Sequence, residues 1–511
     1  MAPSAFRQKV LDPLGLNWKL FGGGKTPVPG EVVRPDERLS WGRTTGLGFQ
    51  HVFAMFGATF VFPIVMGLNP NTALMMTGIA TILFLLIVQN RVPSYLGTSA
   101  SFVGAVVAIR AAGGSSATVT GAILVAGLVL AACGLLVHVA GSRVIHAVLP
   151  PVVTGAVVML IGFNLAPVVA TIYWPQDQWI ALITMTAVLL MSVLLPGFWS
   201  RIAIFLGLIF GFLISWAADK IFGKITSYDA AAGHVTTHLR VNFANVNHAA
   251  WFGLPPFHAP SFKASAVVLA LPAVIALIAE NTGHVKAVAA MTGYDLDPVM
   301  GRAILADGIG TSIATAVGGS PTTTYAENIG VMAATRVYST AAYYVAAVVA
   351  ILFGLCPKFG ALIAATPGGV LGGITVILYG MIGLLGAKIW IDNRVDLGNP
   401  VNLLPLAAGI IAGIGNVSLK ITSSFTLSGI ALGTIVTILA YHMLRLVAPP
   451  HLREEPQVAG RVYERGAGLV VGDVMTPQGE VSPYTQESAD DPPAPDHPPG
   501  PQSRGSTPPP P

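Results

Sequence analysis

The sequence predicts an all-α polytopic membrane protein, and its composition and its recurrent apolar runs both indicate this. The chain has 511 residues, of which 53% are hydrophobic and only 10% are charged. A soluble domain usually carries about 25% charged residues. Because a span needs about 20 apolar residues, the apolar blocks between Leu47 and Val447 predict about 12 to 14 transmembrane segments. Such blocks include Val119–Val139, Ala181–Leu195, Ile202–Ala217, Ala264–Ala279, Ala341–Leu355 and Ile421–Leu444.

Three regions follow one another along the chain. Residues 1–46 are polar and rich in Pro and Gly, and residues 47–447 hold the spans, with one longer loop near Ala218–Lys263. Residues 448–511 end in a Pro-rich stretch that we expect to be largely disordered. Basic residues in short loops indicate orientation, and they predict both termini in the cytoplasm of a protein of the cell membrane. With fourteen spans the inner side receives Arg91, Arg143, Arg201, Lys286, Arg336, Lys388 and Arg394.

Two short polar segments interrupt the apolar pattern at corresponding places in the two halves. They are Leu96–Arg110, "LGTSASFVGAVVAIR", and residues 318–330, "GGSPTTTYAENIG". Pro321 and the β-branched Thr322–Thr324 favour a short extended piece that leads into a half-helix. Paired interruptions of this kind indicate the substrate site of a transporter. The alternative is an ordinary span with a proline kink.

Glu280 and His284, in "LIAENTGHVK", lie four residues apart and therefore share one face of a helix. A carboxylate in a span is costly and needs a partner or a function. Histidine titrates near neutrality, so the pair can hold a proton whose position varies. In the alternative interpretation His284 and Lys286 only mark the cytoplasmic end of the helix.

A second polar cluster contains Tyr325, Glu327 and Asn328. If a helix begins near Ala326, these groups stand at its N-terminus, where free N–H groups and the helix dipole favour carboxylates and ligand acceptors. Alternatively, Glu327 only caps a buried half-helix. The first span carries Gln50 and His51, for which packing in the core is the simpler explanation, and Asp307 ranks below the two glutamates.

Several classes of protein lack support in the sequence. No G-x-x-x-x-G-K-[ST], H-E-x-x-H or G-x-S-x-G motif is present, so ATP binding, zinc-dependent catalysis and a serine hydrolase are not indicated. The two cysteines suggest neither a disulfide nor a metal site, and no basic cluster suggests nucleic acid. We therefore expect no cofactor. The remaining interpretation is a secondary transporter or a channel for a small neutral or cationic substrate rich in N–H donors. A membrane enzyme and a receptor are the alternatives from other classes.

The stretches "TTTYAENIGVMAATRVYST", "GFQHVFAMFGATFVFP", "PSYLGTS" and "AENTGH" resemble the nucleobase/ascorbate transporter family, and most of all its bacterial uracil permease branch. The fixed positions of the family motif are Glu327, Asn328, Gly330, Thr335 and Arg336. The resemblance implies fourteen spans in two inverted repeats of seven, with short antiparallel strands in spans 3 and 10. It also implies a core domain of spans 1–4 and 8–11 and a gate domain of spans 5–7 and 12–14, and members often form homodimers.

The resemblance assigns roles to individual residues. Glu280 and Glu327 would hold the pyrimidine ring, with Tyr325 and the backbone N–H of Ala326 in the same site. His284, together with Glu280 and the gate residue Tyr379, would couple transport to protons. Asn328, Gln50 and His51 are supporting positions.

One departure from the family pattern concerns specificity. Uracil permeases commonly read "YLGSSFAF" where this chain reads "YLGTSASF", so that Ala100 replaces an aromatic residue that packs on the ring, unless Phe102 substitutes for it. The implied function is proton-coupled uptake of a nucleobase, uracil first. A xanthine or uric acid permease of the same family, and less favourably a sulfate-permease-type anion carrier, are the alternatives.

Overall fold

The computed structural model describes residues 16–28, 31–141, 149–229, 234–421 and 426–453. Arg143, predicted on the inner side, and the tail from residue 454 onward, predicted to be largely disordered, lie outside these residues. Within them the chain is mostly helical, and helices of seven residues or more are numbered here in chain order. They are α1 Trp41–Met66, α2 Pro70–Ile87, α3 Val103–Ala111, α4 Ser116–Ala140, α5 Pro151–Phe163, α6 Gln178–Leu194, α7 Ala203–Ile221, α8 Ala264–Ala270, α9 Pro272–Thr292, α10 Asp297–Ala316, α11 Ala326–Thr335, α12 Thr340–Gly354, α13 Pro357–Ala364, α14 Gly368–Asp392, α15 Pro400–Ile414 and α16 Gly429–Val447.

Among the described residues, eight helical stretches are long and apolar enough to cross a membrane. A ninth is added if α12 and α13, which are bent by 82° at Leu355–Cys356, form one broken span. Three further apolar helices are shorter than a full span, namely Ala100–Ala111, Gln178–Leu194 and Pro400–Ile414. The helical, multi-pass class is confirmed, whereas the count of about 14 spans stays a prediction.

One predicted apolar run begins too early. The run Ile421–Leu444 is not helical throughout, because α16 begins only at Gly429. Gly429 has a φ of +55°, a left-handed conformation that glycine adopts without strain. The preceding residues Thr426–Ser428 form a strand that pairs with Ser418–Lys420. The chain therefore makes a hairpin before the last helix starts.

The strands form two-stranded pairs, and one pair joins distant parts of the chain. In chain order they are β1 Lys19–Leu20, β2 Glu37–Arg38, β3 Leu96–Thr98, β4 Ile225–Asp229, β5 His234–His238, β6 Thr322–Thr324, β7 Ser418–Lys420 and β8 Thr426–Ser428. Strand β3 runs antiparallel to β6, with Leu96 opposite Thr324 and Thr98 opposite Thr322. All six residues of this pair are buried. The pair lies inside the helical bundle.

The two central strands are held to their preceding helices by the same kind of contact. The hydroxyl of Thr81 in α2 accepts a hydrogen bond from the N–H of Leu96, at 2.9 Å. The hydroxyl of Thr311 in α10 accepts one from the N–H of Thr322, at 3.1 Å. In each case the hydroxyl of a buried threonine provides a hydrogen-bond acceptor for the backbone N–H of the first strand residue. This likeness supports the predicted relation between the two halves without fixing the number of spans.

The long loop after α7 is built on an ion cluster. Arg240 donates from Nε to Asp177 at 2.7 Å and from Nη1 to Asp219 at 3.2 Å. The three side chains are only 7–13% exposed. Asp177 also caps the start of α6 by accepting from the N–H of Ile180. The loop is therefore fastened to α6 and α7 before it crosses to the rest of the bundle.

We expect Arg240→Met to destabilise the protein, because it leaves two carboxylates at low exposure without their cation. Breaking a buried ion pair costs about 3–5 kcal/mol, and the thermal unfolding midpoint of the purified protein should fall by several degrees. Lys224→Met is the matched control, because Lys224 is exposed on the same loop. Equal midpoints for the two variants would show that the cluster does not stabilise the loop.

Candidate functional site

The central strands place one helix N-terminus at each end of the pair. Strand β3 leads through Ser99 into the 3-10 turn Ala100–Phe102 and then into α3, and β6 leads through Tyr325 into α11. Because the strands are antiparallel, the two helices start at opposite ends of this short pair. The first N–H groups of each helix, with the positive end of its dipole, therefore lie next to the strands. Such a position favours carbonyl oxygens and carboxylates.

Glu327 occupies the first turn of α11. The helix begins at Ala326, as the sequence predicts, with Tyr325 in extended conformation before it. The Glu327 side chain is only half-buried. Ala326 is exposed. The acid is thus partly accessible, and the backbone at Ala326 is open beside it.

Glu280 comes to the same place from α9. Its side chain is half-buried and lies close enough to Glu327 and Asp307 for like-charge repulsion. The structure therefore brings together the two glutamates that the sequence singles out. Carboxylates that approach one another in this way are stabilised by a bound proton or by a ligand that donates hydrogen bonds.

A chain of hydrogen bonds connects His284 to Asp307. His284 Nδ1 lies 2.8 Å from Thr324 Oγ1 in β6, and Thr324 Oγ1 donates to Asn281 Oδ1 at 3.3 Å. Asn281 Nδ2 in turn donates to the carboxylate of Asp307. Since a hydroxyl has one hydrogen, Thr324 must accept from His284. The Nδ1 atom of a neutral His284 therefore carries the proton, which leaves Nε2 as its acceptor.

Asp307 is fully buried in α10. From the sequence, Asp307 is a weaker candidate for the site than the two glutamates. It is expected either to hydrogen-bond to a neighbouring span or to face water. The structure shows the first of these, because its carboxylate accepts from Asn281 in α9. Asp307 is thus linked to both Glu280 and His284.

Asn328 and His51 fasten α11 to α1. Asn328 Nδ2 donates to the carbonyl of His51 at 2.9 Å and lies 3.2 Å from His51 Nδ1. The His51 ring packs on Tyr343 with a centroid distance of 4.3 Å. His51 is 1% exposed, which agrees with packing in the core. Gln50 beside it is half-buried.

Tyr325 links the two strands. Its hydroxyl donates to the carbonyl of Thr98 in β3 at 2.7 Å and accepts from Thr59 in α1 at 3.2 Å. Its ring covers Gly97 so closely that a Cβ at this position would overlap it. The Tyr325 side chain is 4% exposed and therefore faces other protein groups in this conformation. The accessible part of this segment is the backbone of the next residue, Ala326.

The remaining predicted residues lie at the edge of this arrangement. Ala100 is half-buried at the start of the turn after β3. Phe102 is fully buried in the main apolar core, so its ring does not replace an aromatic at position 100. Tyr379 in α14 is 2% exposed and lies near Tyr173. Among the described residues no hydrogen bond joins Tyr379 to Glu280 or His284.

Asn281 and Thr324 are the residues that the sequence analysis does not assign to the network. Two features of the sequence could have drawn attention to them. Asn281 is a polar residue between Glu280 and His284, and Thr324 is the last of three consecutive threonines. Neither signal gives a partner, because the contact joins α9 to a strand 40 residues further along the chain.

Comparison with known proteins gives the family. A family model described as Permease family (Xan_ur_permease) matches residues 42–422. The chain belongs to this permease family. The resemblance to nucleobase transporters is thereby confirmed, and the protein is a membrane transporter and not an enzyme. The match contains both central strands and both glutamates and ends before α16.

Curated relatives match over nearly their whole length. The putative pyrimidine permease RutG of Escherichia coli (strain K12) is 44% identical over 452 residues, which are 86% of this chain and 98% of the relative. The uracil permease of Bacillus caldolyticus is 37% identical over 449 residues, which are 85% and 97% of the two chains. Among solved structures, the murine Slc26a9 anion transporter in the inward-facing state matches with a TM-score of 0.59 at 11% identity, covering 81% of this chain and 70% of that one. That likeness shows the fold alone.

Gly97→Ala should disable the site, because the new Cβ would overlap the Tyr325 ring and push the two strands apart. We expect transport to fall by at least tenfold at normal membrane abundance, measured by substrate uptake. Gly46→Ala is the control, since no atom lies within 4 Å of the position its Cβ would take. Normal uptake by Gly97→Ala would mean that the strands do not need this close contact.

Thr324→Val removes the hydroxyl that joins His284 to Asn281 while keeping the shape of the side chain. We expect substrate binding to persist and proton-driven accumulation to fall several-fold, because His284 loses the partner that fixes its tautomer. Thr292→Val, in the helix α9 that carries His284, is the control, because that hydroxyl bonds only carbonyls of the preceding turn. Unchanged accumulation in Thr324→Val would remove this chain of hydrogen bonds from the coupling mechanism.

Proposed function

We propose that the protein carries out proton-coupled uptake of a nucleobase, uracil first, across the cell membrane. The observation that carries this proposal is the meeting of Glu280 and Glu327 beside the N-terminus of α11. The names of the relatives support the substrate class, since they are called pyrimidine and uracil permeases. The anion-carrier alternative is disfavoured, because two carboxylates repel an anion.

The groups at the site match the edges of a pyrimidine. Uracil presents two N–H donors and two carbonyl acceptors. A carboxylate accepts from N–H groups, and charge-assisted bonds of this kind are about twice as strong as neutral ones. The backbone N–H groups at the exposed start of α11 can donate to a ring carbonyl. The ring would therefore be held by Glu280 and Glu327 and oriented by the backbone at Ala326.

The proton would bind within the group formed by Glu280, His284 and Asp307. A proton on this group lowers the repulsion between the carboxylates and so permits a neutral ring to bind. His284 Nε2 is the acceptor left free by the tautomer that Thr324 imposes. Tyr379 is included as a gate residue on the resemblance alone. Release of substrate and proton on the inner side would complete one cycle.

Movement between two domains would give access from each side in turn. We assign spans 1–4 and 8–11 to a core domain that carries the site, and spans 5–7 and 12–14 to a gate domain. The site residues belong to helices and strands of the first group, namely α9, α10, β3, β6 and α11. We place both termini in the cytoplasm and propose that two copies join through their gate domains in a homodimer.

Ala100 favours a broader choice of base than uracil alone. A small side chain stands where uracil permeases commonly carry an aromatic, and the buried Phe102 does not replace it. Ring packing is therefore weaker and more space is open beside the strand end. Competition by thymine, cytosine, xanthine and uric acid would show how broad the choice is, and a purine permease is the second candidate on this observation.

Glu280→Gln and Glu327→Gln should each abolish coupled uptake at normal membrane abundance. A carboxamide keeps the size of the side chain but loses the charge, and each charge-assisted bond is worth roughly 1.5–3 kcal/mol, which corresponds to about tenfold to hundredfold in affinity. Glu31→Gln, on the N-terminal segment, should transport like the wild type. Full transport by either site variant would contradict the assignment.

Counterflow in liposomes tests the class of function. Vesicles that hold purified protein and unlabelled uracil should accumulate labelled uracil from outside. A receptor would bind the label without accumulating it, and an enzyme would alter it. Binding without counterflow, or a changed product, would overturn the proposal.

A further inference from the structure

The segment that precedes the first helix packs on the part of the chain that follows the Glu327 half-helix. Residues 16–28 and 31–40, called here the N-terminal clasp, lie against the link Arg336–Thr340 that joins α11 to α12. The sequence predicts only a polar N-terminal segment here. The structure gives it a defined set of partners.

Backbone hydrogen bonds hold the clasp to the link. The N–H of Val33 donates to the carbonyl of Arg336 at 2.9 Å, and the N–H of Tyr338 donates to the carbonyl of Val33 at 2.8 Å. Val33 and Val337 form a parallel bridge, and Val33 is fully buried. The carbonyl of Pro35 accepts from the hydroxyl of Thr340 at 2.9 Å. The clasp thus adds a short strand to this link.

Trp18 joins the same link to the start of α1. Its Nε1–H donates to the hydroxyl of Thr340 at 2.8 Å. Its ring meets Tyr344 of α12 edge-on at 5.5 Å and Trp41 of α1 at 6.4 Å. Arg43 of α1 donates to the carbonyl of Gly24 at 2.7 Å. The clasp therefore holds α1, α12 and the end of α11 together.

Helix α11 depends on contacts at both of its ends. It has ten residues, and a helix this short is marginal without tertiary contacts. Its start is fixed by β6. Its end is at Arg336, which has a φ of +56°, a conformation that residues other than glycine seldom adopt. The carbonyl of that residue is the acceptor for Val33.

We infer that the N-terminal clasp is a positioning element for the substrate site. It fixes the end of α11 and, through it, the direction of the helix that presents Glu327 at the other end. None of the hydrogen bonds of its described residues goes to Glu280, Glu327 or Asp307. The consequence for transport rests on the proposed function, whereas the consequence for the order of α11 does not.

Two variants in the full-length protein test this inference. Val33→Pro removes the N–H that bonds Arg336, and Trp18→Phe keeps an aromatic ring but removes the donor to Thr340. Lys19→Ala is the control, because it breaks only an exposed ion pair with Asp36 in the same segment. Hydrogen exchange over residues 326–340 and the apparent affinity for labelled uracil are measured for each variant.

We expect exchange over residues 326–340 to accelerate at least threefold in both variants, since a lost hydrogen bond is worth about threefold to tenfold in an equilibrium constant. Apparent affinity should fall by a similar factor while the maximal rate changes less, and Lys19→Ala should match the wild type. Trp18→Phe keeps the test valid if Val33→Pro fails to accumulate.

Unchanged exchange over residues 326–340 in the variants would overturn the inference. A lower maximal rate at unchanged affinity would also overturn it, because the clasp would then act on movement and not on the site. If the wild type carries no nucleobase, the proposed function fails, and the exchange comparison alone decides whether the clasp orders α11.

Discussion

The pairing of β3 with β6 is the constraint on which the rest of the structure depends. Extended backbone inside a helical membrane protein is tolerated only if the protein satisfies its polar groups. Here the backbone groups of the two strands pair with each other. The hydroxyls of Thr81 and Thr311 accept from the first N–H group of each strand. The pairing extends by one more bond, from the N–H of Tyr325 to the carbonyl of Tyr95. The pair brings two distant interruptions of the chain together and lets a helix start at each of its ends. Without it Glu327 would have no fixed relation to Glu280.

The high cost of charge within the membrane makes a small number of ionisable groups enough to form a responsive site. A carboxylate within a span costs roughly 2.5–3.5 kcal/mol even on the milder scale, and this chain brings Glu280, Glu327 and Asp307 close together. Asp307 is compensated by Asn281, and Glu327 by the N-terminus of α11. The two glutamates stay accessible. An arrangement in which they repel one another responds strongly to a proton and to a ligand that donates N–H groups, which is what coupled transport of a neutral base requires.

The sequence predicts the local structure around the site residues better than it predicts the tertiary contacts between them. Pro321 and three β-branched threonines indicate an extended piece, and Ala326 is correctly expected at the start of a helix, because these signals are local. The spacing of Glu280 and His284 gives a shared helical face for the same reason. The bond from His284 to Thr324, the burial of Phe102 and the link of Asn328 to His51 are tertiary contacts that no local pattern contains. The number of spans is hard to predict because several helices are short, bent or only weakly apolar, and the run from Ile421 includes a hairpin before α16 begins.

Uptake of radiolabelled uracil into cells that lack their own nucleobase permeases tests the central claim most directly. It is measured with and without a protonophore and in competition with thymine, cytosine, xanthine and uric acid. The account predicts saturable uptake that the protonophore abolishes and that pyrimidines compete for. Uptake of none of these bases, or uracil uptake that the protonophore leaves unchanged, would contradict proton-coupled nucleobase transport through the site formed by Glu280 and Glu327.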